Sequence, residues 1–189
     1  MNRHPNAPTY SPWGSVQTSR ELFPGAWSVS TASHGGIYLA AEEADAIRSA
    51  LPGFEPYTGW PWFEEDEDVT VIFLVFAAHF DDEAVWSSVR SVRNRIAHGN
   101  PSEAGRWGIV ARWLTDTADG RAAAERADTW STANADRWET GGGGTSGHGW
   151  TMHLYRISDG ERRMMHFPEY PAQRFYTSAE LDALDHPNV

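Results

Sequence analysis

No cysteine occurs among the 189 residues, which excludes disulfide frameworks, thiol catalysis and zinc–thiolate sites. Lysine is also missing, and all fifteen basic residues are arginines. With the abundance of Ala, Gly and Asp, this points to a GC-rich genome and says nothing of mechanism. Long apolar runs are scarce. The longest, Val69 to Ala78, is far too short to cross a membrane as a helix. The first residues carry no basic-then-apolar leader pattern, and no internal repeat is present. These absences lead to the expectation of a soluble protein of the bacterial cytoplasm with no membrane association.

Large aromatic side chains are plentiful. Ten Trp, eight Phe and six Tyr are enough to build a core, so a disordered chain is not expected. Charge is unevenly spread. Residues 1–83 hold three Arg against thirteen Asp and Glu, a net of −10, whereas residues 84–189 are nearly balanced at −1. Such a field repels phosphate backbones and attracts cationic surfaces. Direct nucleic-acid binding is therefore not expected, and a protein partner with a basic surface is.

Along the chain, residues 1–10 read as a flexible arm. Val16 to Phe23, Ala26 to Thr31 and Gly36 to Ala40 read as a β-meander. Trp27, Val29 and Thr31 alternate with Ser28 and Ser30, the period of a half-buried strand. Ala41 to Leu51 has helical spacing and Phe54 to Trp62 reads as an aromatic loop. The β-branched run Val69–Phe76 reads as a central strand. Helices are expected over 82–97, where Val85, Val89, Val92 and Ile96 form a stripe, over 102–117 and over 121–138. Gly141–Gly144 reads as a flexible connection. Ser158-Asp159-Gly160 marks a hairpin turn, and Thr177-Ser-Ala-Glu180 a capping box.

The predicted fold is α+β, with a mostly antiparallel sheet and three to four helices packed on one face. Residues 11–140 would form the α+β domain. The linker, hairpin and short helix of 141–189 would complete it. The expected core is Trp27, Val29, Ile37, Leu39, Val71, Phe73, Val75, Val85, Val89, Val92, Trp107, Val110 and Leu114.

Three stretches carry a resemblance: Ser11-Pro-Trp-Gly14, Ser30-Thr-Ala-Ser-His-Gly-Gly36 and Gly59-Trp-Pro-Trp-Phe-Glu-Glu-Asp66. Over residues 11–83 the chain resembles an uncharacterised domain family of phage and mobile-element proteins. In that family the third motif usually reads Gly-Trp-Tyr-Glu-Glu-Asp. Here Pro61 is added and Phe63 stands for the tyrosine, so whatever its hydroxyl does is lost. The resemblance implies context, not an activity.

The candidate site follows from these motifs. His34, displayed by Gly35 and Gly36, is the candidate acid–base residue or metal ligand; the favoured, plainer reading is a turn histidine that hydrogen-bonds the acidic segment or backbone. Ser33, His34, Gly35, Gly36, Trp60, Trp62, Glu64, Glu65, Asp66, Glu67 and Asp68 form the candidate binding surface. Glu65, Asp66 and His79 are the candidate ligands should a metal bind. Hard oxygen donors would favour Mg²⁺, Mn²⁺ or Ca²⁺, although the run lacks calcium-loop spacing and like-charge runs are most often solvated. No cofactor is expected, a divalent metal being the alternative. His148, His153 and His166 lie near the late hairpin, the last two placed to face each other. Arg90, Arg93 and Arg95 with Arg162 and Arg163 make a basic patch or neutralise the acidic half.

The function expected from this reading is a non-enzymatic accessory protein of a phage or mobile element. It would bind a host protein through an acidic surface, for example to inhibit a defence system. The alternative is a small metal-dependent hydrolase using His34 with Glu64, Glu65 and Asp66.

Overall fold

A computed structural model describes residues 6–146 and 149–185. His148 lies outside them. By contact the chain divides into two compact units, Met1–Ala127 and Asp128–Val189, and each is taken by itself.

The first unit begins with β1 (Tyr10–Ser11) and β2 (Gly14–Ser15), a minimal antiparallel pair closed by the Ser11 hydroxyl donating to the Gly14 carbonyl at 3.0 Å. The expected meander follows as β3 (Thr18–Phe23), β4 (Ala26–Ser30) and β5 (Gly35–Leu39). After α1 (Ala41–Ala50), a strand that the sequence reading leaves inside the aromatic loop, β6 (Trp62–Glu64), joins the sheet. The order is β3-β4-β5-β6, antiparallel throughout.

Register fixes two covered faces on this sheet. Trp27 sits opposite Tyr38, and Tyr38 opposite Trp62, so three aromatic rings cross one face on adjacent strands. Val29 shares that face, and the segment carrying Ala7, Trp13 and Val16 packs on it. The other face carries Ala26, Ile37, Leu39 and Phe63, all buried, with α1 against β5. Trp27 and Val29 therefore lie across the sheet from Ile37 and Leu39, not beside them as a one-sided core implies.

The run Val69–Val75 is a helix, α2, and not a strand. Thr70, Val71, Ile72 and Leu74 are buried, a helical pattern, while Phe73 and Val75 are only half-buried. The residue types favour a strand, but burial between α1 and the next helix overrides that weak preference. A short 3₁₀ turn at Ala77–His79 leads to α3 (Asp82–His98). Asp81 caps α3, accepting from the Ala84 amide at 2.8 Å. Val85, Val89 and Val92 are buried as expected, but Ile96 is 49% exposed. Next comes α4 (Ala104–Asp116), which buries Trp107, Val110, Trp113 and Leu114. Last is α5 (Ala118–Ala133), displaced from the expected 121–138. Gly120, which falls between the expected helices, lies in its first turn. A β-carbon there would overlap the Trp113 carbonyl, so glycine permits the close approach of α5 to α4.

The second unit is a sheet of its own, so the late hairpin does not extend the meander. It comprises β7 (Arg137–Ser146), β8 (Gly149–Arg156), β9 (Arg162–Phe167) and β10 (Phe175–Thr177), in the order β10-β7-β8-β9. The run Gly141–Gly144 is not a linker but the middle of β7. Ladder hydrogen bonds need no side chain, and the register slips by one residue between Thr140 and Gly143. Trp138, expected in a helix, opens this strand. It packs with Met152, Leu154, Met165, Phe167, Tyr176 and Leu181. The closing helix α6 (Ser178–Asp185) supplies Leu181. The capping box is present: the Thr177 amide donates to Glu180 Oε2 at 2.6 Å and the Glu180 amide to Thr177 Oγ1 at 3.2 Å.

The α+β class is as expected.

Candidate functional site

The three motif stretches meet at one end of the first sheet. Pairing of β5 with β6 sets Gly36 opposite Glu64 and Ile37 opposite Phe63, and the Glu65 amide donates to the Gly35 carbonyl at 3.3 Å. The meeting runs through β6, not through a strand at 69–76. Trp13, from the Ser-Pro-Trp-Gly turn, stands edge-on to Trp62, ring centroids 5.8 Å apart, and its ring lies on Gly36. A β-carbon at Gly36 would overlap both that ring and the Phe63 carbonyl. At Gly35 it would meet the Glu65 carboxylate. The paired glycines are thus sites of close approach, one to an indole and a neighbouring strand, the other to an acid.

Ser33 and His34 are exposed at the tip of the β4–β5 turn. Thr31 organises that turn: its hydroxyl donates to the His34 carbonyl at 2.9 Å and accepts from the His34 amide at 3.2 Å. No hydrogen bond joins the Ser33 hydroxyl to the His34 ring among the described residues, so the pair has no nucleophile–base geometry.

The acidic run divides by role. Glu64 closes the turn after β6, its Oε2 accepting from the amides of Asp66 and Glu67 at 2.8 and 2.9 Å. Glu67 pairs with Arg95 of α3 at 2.6 Å and with Arg106 of α4 at 3.3 Å. Asp68 is fully buried, paired with Arg106 at 2.7 Å, and it accepts the Tyr57 amide at 2.7 Å. Burial pushes the Asp68 carboxyl above its ordinary value, against the Tyr57 amide and the Arg106 guanidinium, which favour its charged form. Trp107 packs beneath this cluster, with the Arg95 and Arg106 guanidinium carbons 4.6 and 5.1 Å from its ring centroid. Glu65 and Asp66 alone of the five point outward as exposed side chains. Neutralisation of the helix arginines by the acidic half is therefore visible at Arg95 and Arg106.

The other candidates are held by neighbours. Trp60 donates to Glu55 at 2.8 Å and carries Arg48 4.1 Å above its ring. Trp62 is half-buried between Tyr38 and Trp13. His79 stacks on Phe23, ring centroids 4.4 Å apart. Among the described residues no three His, Asp or Glu side chains are grouped to hold a metal ion, so Glu65, Asp66 and His79 do not form such a group. In the second unit, His153 sits opposite Met164 and His166 opposite Thr151, so the two histidines share a face diagonally and are not directly paired.

Sequence reasoning included Arg95 among the arginines neutralised by the acidic half but missed Arg106, the strand β6, and Trp13 as the cover of Gly36. Two adjacent glycines were the available signal for the last. The arginine pairing left no trace in local spacing, because its partners are 28 to 39 residues apart.

No match is found among curated proteins, and none among solved structures. A family model does match, over residues 6–135, well beyond the 11–83 stretch that carries the motifs. It takes in both the three-motif junction and the helices whose arginines pair with it. The chain belongs to the family described as Domain of unknown function (DUF7007).

Proposed function

We propose that this protein is a non-enzymatic accessory protein of a phage or mobile element. It binds a basic surface of a host protein, such as a component of a defence system, through the acidic end of its first sheet. The observation that carries the reading is the division of the acidic run. Glu64, Glu67 and Asp68 are committed to the fold, which leaves Glu65 and Asp66 outward beside exposed Ser33 and His34. Aromatic packing and the acidic turn thus bring two exposed carboxylates and an imidazole to one end of the sheet. Such a charge display favours encounter with a cationic partner.

The test is affinity capture from host lysate at low salt, with the parent and the Glu65→Gln/Asp66→Asn double variant. The parent should retain a stoichiometric partner that elutes as salt is raised. The double variant should lose it while melting no lower than the parent, since neither side chain supports the fold. A parent that retains nothing stoichiometric, or a double variant that retains the same partner, sinks the proposal.

One observation favours the hydrolase alternative: the Glu65 carboxylate lies over Gly35, next to His34. That reading requires Mg²⁺ or Mn²⁺ to raise the melting temperature of the parent and not of His34→Ala or Glu65→Gln.

A further inference from the structure

We propose that the open face of the second sheet is a binding site for single-stranded nucleic acid, its bases stacking on Tyr155 and its phosphates meeting Arg162. The inference is independent of the function proposed above, because it rests on the other unit.

The sheet is one-sided along β8 and β9. Met152, Leu154, Met165 and Phe167 face the core. By alternation Thr151, His153 and Tyr155 on β8, and Arg162, Met164 and His166 on β9, face the other way. Arg162, Met164 and His166 are exposed, Met164 by 66%. Met164 thus stands exposed on the face that also carries the half-buried Tyr155 ring.

The third strand of this face is the glycine run. The Tyr155 ring lies against Gly141, whose β-carbon would overlap it, whereas a β-carbon at Gly142 or Gly144 would meet open space. The result is a shelf of about 410 Å³, floored by β7 backbone and walled by Thr151, His153 and Tyr155. Flat ligands fit such a floor because no side chain stands on it.

Charge selects the occupant. Arg162 contacts the His153 ring at 2.9 Å, and Arg137 lies on the same face farther along β7. Glu139 shares the face, but it is 7% exposed and paired with Arg174 at 2.7 Å. Asp159 and Glu161, in and after the hairpin turn, are drawn to Arg156. The side chains that β8 and β9 turn to this face are Thr151, His153, Tyr155, Arg162, Met164 and His166, with no carboxylate among them. That combination on a sheet face suits stacked bases with a flanking phosphate. The field of the whole chain opposes polyanions, so the contact is local and salt-sensitive. A duplex, with its bases enclosed, gains nothing from the shelf.

The experiment is fluorescence anisotropy of a labelled oligothymidylate with the full chain at low salt, set against a duplex of equal length. Anisotropy should rise with the single strand and hardly at all with the duplex. The log of the affinity should fall with log salt by about 0.7 per phosphate engaged. Tyr155→Ala should weaken binding roughly tenfold, given the usual size of base–aromatic stacking, and Tyr155→Phe should retain it. Gly142→Leu is the decisive variant. A β-carbon at Gly142 meets nothing within 4 Å, so the leucine side chain would enter the open shelf, and melting should stay close to the parent while binding is lost. The proposal is overturned by no anisotropy change with the single strand, by equal binding of the duplex, or by parental binding in both Tyr155→Ala and Gly142→Leu. Binding of an uncharged oligosaccharide with no binding of the oligonucleotide would also overturn it.

Discussion

At the scale of the residue, the two adjacent glycines are not equivalent. Gly36 has backbone on one side and an indole on the other, so neither neighbour can yield by rotating a flexible tail. Gly35 faces the end of the Glu65 side chain, which can swing away, with the Val29 carbonyl farther off at 3.2 Å. Gly36→Ala is therefore expected to cost about 1–3 kcal/mol, the usual price of overpacking, and Gly35→Ala distinctly less. Urea denaturation of the two variants measures the difference, and equal losses would show that Trp13 does not sit on Gly36. The same scale explains why Asp68 is easy to misjudge from sequence. Within a run of five acids it looks like solvated charge. In the fold it is the one fully buried member, held by Arg106 and a backbone amide from eleven residues upstream.

At the scale of the element, local signals located helix caps, hairpin turns and amphipathic stripes, and these were legible. Asp81 before α3, Thr177 and Glu180 at α6, and the Ser158-Asp159-Gly160 turn act through neighbours close in sequence. The meander was legible for the same reason. The 69–76 run was not, because a short all-apolar segment has no periodicity to separate a buried helix from a buried strand. Its side chains now separate the two. Leu74→Ala should cost about 2–5 kcal/mol as a fully buried truncation, whereas Val75→Thr, half-buried, should cost under about 1 kcal/mol. A strand would reverse that ranking, because Val71, Phe73 and Val75 would share its inner face. The capping box gives a pH test. Its hydrogen bonds to Thr177 hold the Glu180 carboxyl below its ordinary 4.5. A carboxyl whose value is lowered by folding contributes stability that is complete above 4.5 and lost as pH falls through the lower folded value. Glu180→Gln should thus lower the melting temperature slightly at pH 7 and leave it unchanged near pH 2. A difference that persists in acid would assign the effect to packing instead.

At the scale of the whole molecule, charge acts on folding and on binding in opposite directions. The chain carries a net −11, nearly all of it in residues 1–83. Within the first unit, Arg95 and Arg106 cancel part of that excess in a sheltered cluster, each guanidinium less than a quarter exposed, where salt screens poorly. Exposed pairs such as Arg48 with Asp45 contribute little either way. What salt changes most is therefore the mutual repulsion among outward carboxylates, including Glu65 and Asp66. Relieving that repulsion favours the compact state. Raising sodium chloride from about 0.01 M to about 0.3 M, which shortens the screening length from roughly 30 Å to under 8 Å, should raise the melting temperature by a few degrees. Over the same range, capture of a cationic partner should weaken, because the field that destabilises the free protein is the one that draws the partner in. Differential scanning calorimetry and capture at matched salt concentrations check the two trends together. A melting temperature that falls with salt would mean that surface ion pairs, and not self-repulsion, dominate the electrostatics. The acidic face would then lose its claim to be displayed for a partner.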